Sequence, residues 1–284
     1  MIHSPPTRII AGVDHEYYPV ALNLLKTMKL ASAEVCLLHV VESLMPDGSF
    51  PELGPEHPLT KLHVQRDQEG WKELERATSI LQNCYPLRQK LFRGQPAQRL
   101  IEMAKEFEAD LIAVASAQKG KWGSLFFGSV TKALSAEAEQ SILVAKHECQ
   151  NVEALNVVFA TDHSPYADRC LEPLLKWGVQ GIAHATILTA ASPNDSVEQR
   201  HDISRRSADY CTKFEAVGIR ADFLIRDGDA QVVIPQTMQD LNADLLIVGA
   251  RGHGFWERLW LGSVAHHQIV ATPHNVLVIR AKGA

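Results

Sequence analysis

No apolar run in this chain comes near the roughly 18 residues that span a membrane, so a membrane partner is not expected. No block of Lys and Arg forms a basic arm. With 28 basic against 33 acidic residues, the net charge of -5 argues against a nucleic-acid surface as well. The five cysteines, Cys36, Cys84, Cys149, Cys170 and Cys211, form no CxxC pair and are odd in number. Reduced thiols in a cytoplasmic setting are the expectation. The start, Met1 to Arg8, lacks the basic stretch and apolar core of a signal peptide. Several catalytic signatures are missing too. There is no G-x-S-x-G elbow, no HExxH, and no carboxylate pair with a supporting histidine.

What is present is a repeat. The 284 residues are enough for about two domains, and 46% hydrophobic with 21% charged residues reads as globular. The stretch Arg8 to His15 has a partner in Val157 to His163, and Ala109 to Val114 in Ala243 to Val248. Phe127-Gly128-Ser129-Val130 matches Leu261-Gly262-Ser263-Val264, and Ile142 to Lys146 matches Val276 to Arg280. Asp110 and Asp244, Gly128 and Gly262, and Ile142 and Val276 are each 134 positions apart. A constant offset through several elements points to duplication.

Within each half, strand-like and helix-like runs alternate. The second half predicts strands at 157–161, 185–190, 222–226, 244–249 and 275–280, and helices at 166–177, 196–217, 230–241 and 263–271. The strand runs are apolar without strict alternation, as when helices cover both faces of a sheet. Leu171, Leu174, Leu175 and Val179 give the first helix an apolar stripe. Asp229 and Ser263 sit where N-caps are expected. Such βα alternation predicts two tandem doubly wound domains, each with a five-stranded parallel sheet. The expected domains are 1–148 and 155–284, joined through a polar stretch at His147 to Ala154. Residues 43–58, with four prolines and two glycines, read as a surface insertion in the first half.

The chemistry concentrates after the fourth strand of the second half. Gly249-Ala250-Arg251-Gly252 is followed by nine residues and then Gly262-Ser263. In open α/β sheets, ligands sit beyond the carboxyl ends of the strands where strand order reverses. With order 3-2-1-4-5, strands 1 and 4 flank that point, so Asp162 and Gly249 converge on one crevice. Glycine admits positive φ and close backbone approach. The helix opened by Gly262-Ser263 offers unpaired N–H groups to an anion. Asp162 is suited to accept from an adenine amino group or a ribose hydroxyl. Neither standard phosphate motif applies. No lysine precedes Ser263 or Ser129 as a Walker A loop needs, and the Rossmann glycines are absent after both first strands.

The G-x2-G-x9-G-S frame, the strand-1 aspartate and the second strand Leu37-Leu38-His39-Val40-Val41 resemble the universal stress protein family, in two tandem copies over nearly the whole chain. The resemblance implies an adenine nucleotide alpha hydrolase-like sandwich with strand order 3-2-1-4-5, a cytoplasmic location and a role in stress or survival. Some members bind ATP through this loop, often with Mg2+, and others lack the motif. Members commonly dimerise through the last strand, which a tandem chain would do internally; a further homodimer stays open. Carried onto this sequence, the ATP site comprises Thr161, Asp162, Gly249, Arg251, Gly252, His253, Gly262, Ser263 and Val264. Arg251 and His253 are placed to neutralise phosphate charge. In the first half only Asp14, Gly128 and Ser129 match, with Ala115 and Gln118 in place of glycines, so that site is expected to be weak or vestigial. Catalysis beyond slow ATP hydrolysis has no support in the residues.

Four other features have plainer readings. His266 and His267 are neighbours about 100° apart on a helix, so solvated or capping roles are expected rather than metal binding. His39, within a strand, reads as a satisfied core histidine. Trp256 and Trp260 fall in the glycine-framed loop, where a lid and a contact with the other domain are both open. Trp122 and Phe126 occupy the matching frame in the first half and read as packing.

Overall fold

The ten strands form one sheet in the order β3-β2-β1-β4-β5-β10-β9-β6-β7-β8. This computed structural model describes residues 5–42, 54, 56–116, 128–149, 153–252 and 261–281. The first half runs β1 (Thr7–Val13), α1 (Tyr18–Met28), β2 (Ala33–Glu42), α2 (Pro58–Leu81), β3 (Leu87–Gly94), α3 (Pro96–Glu106), β4 (Leu111–Ala115), α4 (Ser129–Glu137) and β5 (Ser141–Ala145). The second half repeats it with β6 (Leu155–Ala160), α5 (Pro165–Lys176), β7 (Ile182–Ala191), α6 (Val197–Glu215), β8 (Arg220–Asp227), α7 (Ala230–Asp240), β9 (Leu245–Gly249), α8 (Ser263–Ala271) and β10 (Val276–Ile279).

Each half is parallel throughout with strand order 3-2-1-4-5, as the alternation predicts. The halves meet where β5 and β10 pair antiparallel, with Leu143 opposite Leu277. That pairing gives the sheet an approximate two-fold axis, so the carboxyl ends of the two sets of strands face opposite ways. A second seam lies at the loops after α1 and α5, where Leu30 and Val179 form an antiparallel bridge. Gly181 N–H donates to Met28 O at 2.9 Å and Ala31 N–H to Gly178 O at 3.0 Å.

The central strands are buried on both faces, which explains their unbroken apolar runs. Ile9, Ala11 and Val13 face a layer containing α1 and α5, while Ile10 joins the opposite layer with Leu100, Leu134, Ile234 and Ile269. Both layers draw residues from both halves.

The predicted helices and strands of the second half appear within a few residues of their expected bounds. Asp229 caps α7, its carboxylate accepting from Gln231 N–H at 2.7 Å. Ser263 does not cap α8. Gly262 holds the cap position, because its N–H is turned back onto Ala250 O at 2.7 Å, and Ser263 becomes the first helical residue. His266 and His267 fall in the middle of α8 rather than at its start.

One compensation links the halves. In the first, His39 of β2 is buried beside Gly70 of α2, where a Cβ would come within 2.6 Å of the imidazole Cδ2. In the second, His163 from the loop after β6 sits between Thr189 of β7 and Ser207 of α6. Both halves therefore bury an imidazole here, supplied by a strand in the first and by the loop after β6 in the second, and matched by small residues opposite.

Candidate functional site

The crevice expected at the carboxyl ends of β6 and β9 is present. Beyond Ala160 the chain turns through Thr161, Asp162 and His163, and beyond Gly249 it passes through Ala250 to Gly252. A cavity of about 340 Å³ opens between them. Thr161, Asp162, Gly249, Arg251, Gly252, Gly262, Ser263 and Val264 all line it. Its floor is Ala160, Leu188, Ala190, Ile234 and Val248, apolar side chains suited to the face of a flat ring. His253, Trp256 and Trp260 lie outside the described residues, as do Gln118, Trp122 and Phe126.

The glycines are required by close packing rather than by backbone freedom. None of Gly249, Gly252 and Gly262 has positive φ. A Cβ on Gly252 would come within 2.6 Å of Asp162 Oδ2, so glycine lets the loop press against the aspartate. At Gly249 a Cβ would approach Cys170 Sγ to 3.3 Å. Gly262 packs on Ala250 and Arg251, closing the neck of the loop. The two sides of the crevice are thus in direct contact, and the α8 N-terminus is held at their junction.

Asp162 is oriented by its own turn. Its Oδ1 accepts from Ser164 N–H at 3.0 Å, and Ser164 Oγ accepts from Ala167 N–H at 3.1 Å to cap α5. His163 anchors the turn from behind. It is 3% exposed with φ of 54°, a left-handed conformation that is uncommon for a non-glycine residue. His163 N–H donates to Thr161 Oγ1 at 3.0 Å, and Nε2 lies 3.0 Å from Thr189 Oγ1 and 3.1 Å from Ser207 Oγ. Burial pushes the His163 imidazole pKa down, with the nearby Arg206 charge adding to the effect. Arg251 stacks over Tyr166, its guanidinium carbon 5.4 Å from the ring centroid, which places a cation at the crevice wall. Neither His163 nor Tyr166 was marked by the sequence frame, because each supports the site from outside it.

The model of the universal stress protein family matches residues 7–146 and again 154–280. The chain belongs to the universal stress protein family. It is 36% identical over 56 residues to the stress response protein NhaX of Bacillus subtilis strain 168, a stretch covering 20% of this chain and 34% of that protein. The chain therefore matches about a third of the length of this curated relative. Among solved structures it is similar to a universal stress protein from Archaeoglobus fulgidus DSM 4304, at 19% identity with TM-score 0.68, covering 96% of each chain. It is also similar to a protein of unknown function from Pseudomonas aeruginosa PAO1, at 16% identity with TM-score 0.61, covering 96% of this chain and 92% of that one. At these identities the structural likeness is one of fold.

In this universal stress protein the first half keeps Asp14 and the Gly128-Ser129 helix start but lines its crevice differently. Its crevice is larger, about 590 Å³, with Asp14, Glu42, Arg66 and Glu69 as its charged lining. Asp14 Oδ1 accepts from the N–H groups of Glu16, Tyr17 and Tyr18 at 2.7 to 2.9 Å, tying down the start of α1. Ala115 and Val130 line this crevice, whereas Gly128 and Ser129 are not on its wall. Among the described residues, a Cβ on Gly128 would meet nothing within 4 Å. His39 is buried as expected and only half satisfied, its Nδ1 2.8 Å from Val13 O while its Nε2 has no hydrogen-bond partner among the described residues. Among the described residues, no group of three His, Cys, Asp or Glu side chains gathers as a metal would need, and no helix is long and apolar enough to cross a membrane.

Proposed function

We propose that this universal stress protein binds ATP in the crevice of its second half, one nucleotide per chain, and acts in a stress response as a cytoplasmic regulatory protein. One observation carries the reading. The aspartate turn, the glycine loop and the α8 N-terminus all line a single switch-point cavity over an apolar floor. The adenine ring would lie on Ala160, Leu188 and Val248, with Asp162 accepting from its amino group or from the ribose. The phosphates would reach the Ser263 and Val264 N–H groups at the start of α8 and Arg251. No protein metal cage is needed, because Mg2+ usually arrives with the phosphates and keeps much of its water. We further propose that residues 1–148 and 155–284 are the two domains, paired internally through β5 and β10. The first crevice would take up ATP weakly, since Glu42 and Glu69 sit on its rim and the glycine loop is lost.

Titration calorimetry of the full chain with Mg-ATP tests this. The expected stoichiometry is one per chain. Combined Gly252→Asp and Gly262→Asp should lower affinity at least a hundredfold, since two backbone approaches are filled and two negative charges added. Unchanged binding in that variant, or two equivalent sites, would refute the assignment. ATP turnover under saturating Mg-ATP, abolished by Asp162→Ala, would make the site catalytic instead.

A further inference from the structure

The last helix of each half is capped at its carboxyl end by a cation from the other half. Lys146, just past β5, donates from Nζ to Gln268 O at 3.0 Å, Ile269 O at 2.6 Å and Thr272 O at 2.7 Å. These are carbonyls at the end of α8, and no backbone N–H caps that end. Arg280, just past β10, donates from Nη2 to Ser135 O of α4 at 3.1 Å. Lys146 and Arg280 are 134 positions apart, as are their acceptors Ser135 and Ile269. The supporting contacts are also paired. Asn275 Oδ1 accepts from Lys146 N–H at 2.8 Å and His147 N–H at 3.2 Å, while Ser141 Oγ accepts from Arg280 N–H at 3.1 Å.

The exchange is unequal. Lys146 makes three bonds to α8, and Arg280 makes one to α4. The heavily capped helix is the one whose N-terminus opens the glycine-loop crevice through Gly262 and Ser263. Cations at a helix C-terminus and anions at its N-terminus are both favourable, and here both bear on one nine-residue helix. We infer that Lys146 is a positioning residue for the anion site of the other half: through α8, the half without an intact glycine loop raises the ATP affinity of the half that has one. This rests on the ATP reading above. The three bonds fix the last turn of α8 against β5, and the ammonium charge complements an anion at the first turn.

The test is Mg-ATP affinity in the full chain for the wild type, Lys146→Met, Lys146→Arg and Leu30→Ala. Lys146→Met should weaken binding about five- to thirtyfold, the range of a helix-end charge in a partly buried setting. Lys146→Arg should recover most of the loss, because it restores charge and donors. Leu30→Ala loosens the second seam without touching α8; it should lower the melting temperature and leave affinity within about twofold. If Leu30→Ala weakens binding as much as Lys146→Met, the effect is general loosening and the inference fails. If the wild type binds and Lys146→Met binds equally, this inference alone is overturned. A wild type that takes up no ATP overturns the site and this inference together.

Discussion

Gly252 and Gly128 are both glycines of the repeated loop frame, Gly128 being the counterpart of Gly262, and their surroundings separate them. A Cβ at Gly252 would collide with Asp162 Oδ2, whereas one at Gly128 would meet nothing within 4 Å among the described residues. Gly252→Ala should therefore push the loop off the aspartate and cost at least tenfold in nucleotide affinity. Gly128→Ala should leave both affinity and melting temperature close to wild type. Parallel titrations and thermal melts of the two variants check this, and equal effects would show that Gly252 is not a packing glycine. Gly181 is a stronger case. A Cβ there would overlap the carbonyl oxygen of Thr27, a backbone atom in the other half that cannot swing aside. Gly181→Ala should destabilise the fold by several kcal/mol, the range of severe backbone and packing conflicts, with a large fall in urea midpoint as the readout. That these residues line one crevice is legible in the sequence because the glycine frame and the strand-end aspartate stand at fixed places after strands 4 and 1. The reason for the glycines was not legible, since it lies in what Asp162 and Thr27 do across the chain.

At the scale of elements, helix starts carry testable weight. Asp229 caps α7, and the next residues along that helix, Ala230 and Ile234, line the crevice. Asp229→Ala should cost about 1 kcal/mol of stability, the usual value for a lost N-cap, measured by urea denaturation. Affinity should fall only slightly, because the floor of the crevice is held mainly by β6, β7 and β9. Elements of the second half were readable from their apolar runs, turn residues and caps. The Ser263 expectation failed for a physical reason. A serine before a helical run is a good cap candidate, but the return bond from Gly262 N–H to Ala250 O moves the cap back by one residue. That bond closes a loop of eleven intervening residues, and local pattern does not encode it.

For the whole molecule, the join between the halves is a place where protons matter. His274 lies between α8 and β10, partly buried, with Lys146 and His147 as the charged groups facing it. Burial, together with those two charges, pushes its pKa from 6.5 down to about 4. Lys146 is pushed down to about 7 by burial, while its three carbonyl partners favour the charged form. The sign for His274 follows directly. Between pH 6.5 and 4 the unfolded chain binds a proton there that the folded chain does not, so stability falls as pH falls through that window. One such group contributes a slope of at most about 1.4 kcal/mol per pH unit, which levels off below pH 4. Urea denaturation at pH 8, 6.5, 5 and 4 should show a shallower acid loss for His274→Asn than for the wild type. Identical slopes would mean that His274 is protonated alike in both states. A loss confined to pH below 4 would assign the acid transition to carboxylates instead. Because the same loop carries Thr272, one of the three carbonyl acceptors of Lys146, the acid loss should appear first as separation of β10 from β5. Amide exchange at Leu277 and Val278 should rise before exchange at Ile9 or Ile112, which sit deep within the first half of the sheet.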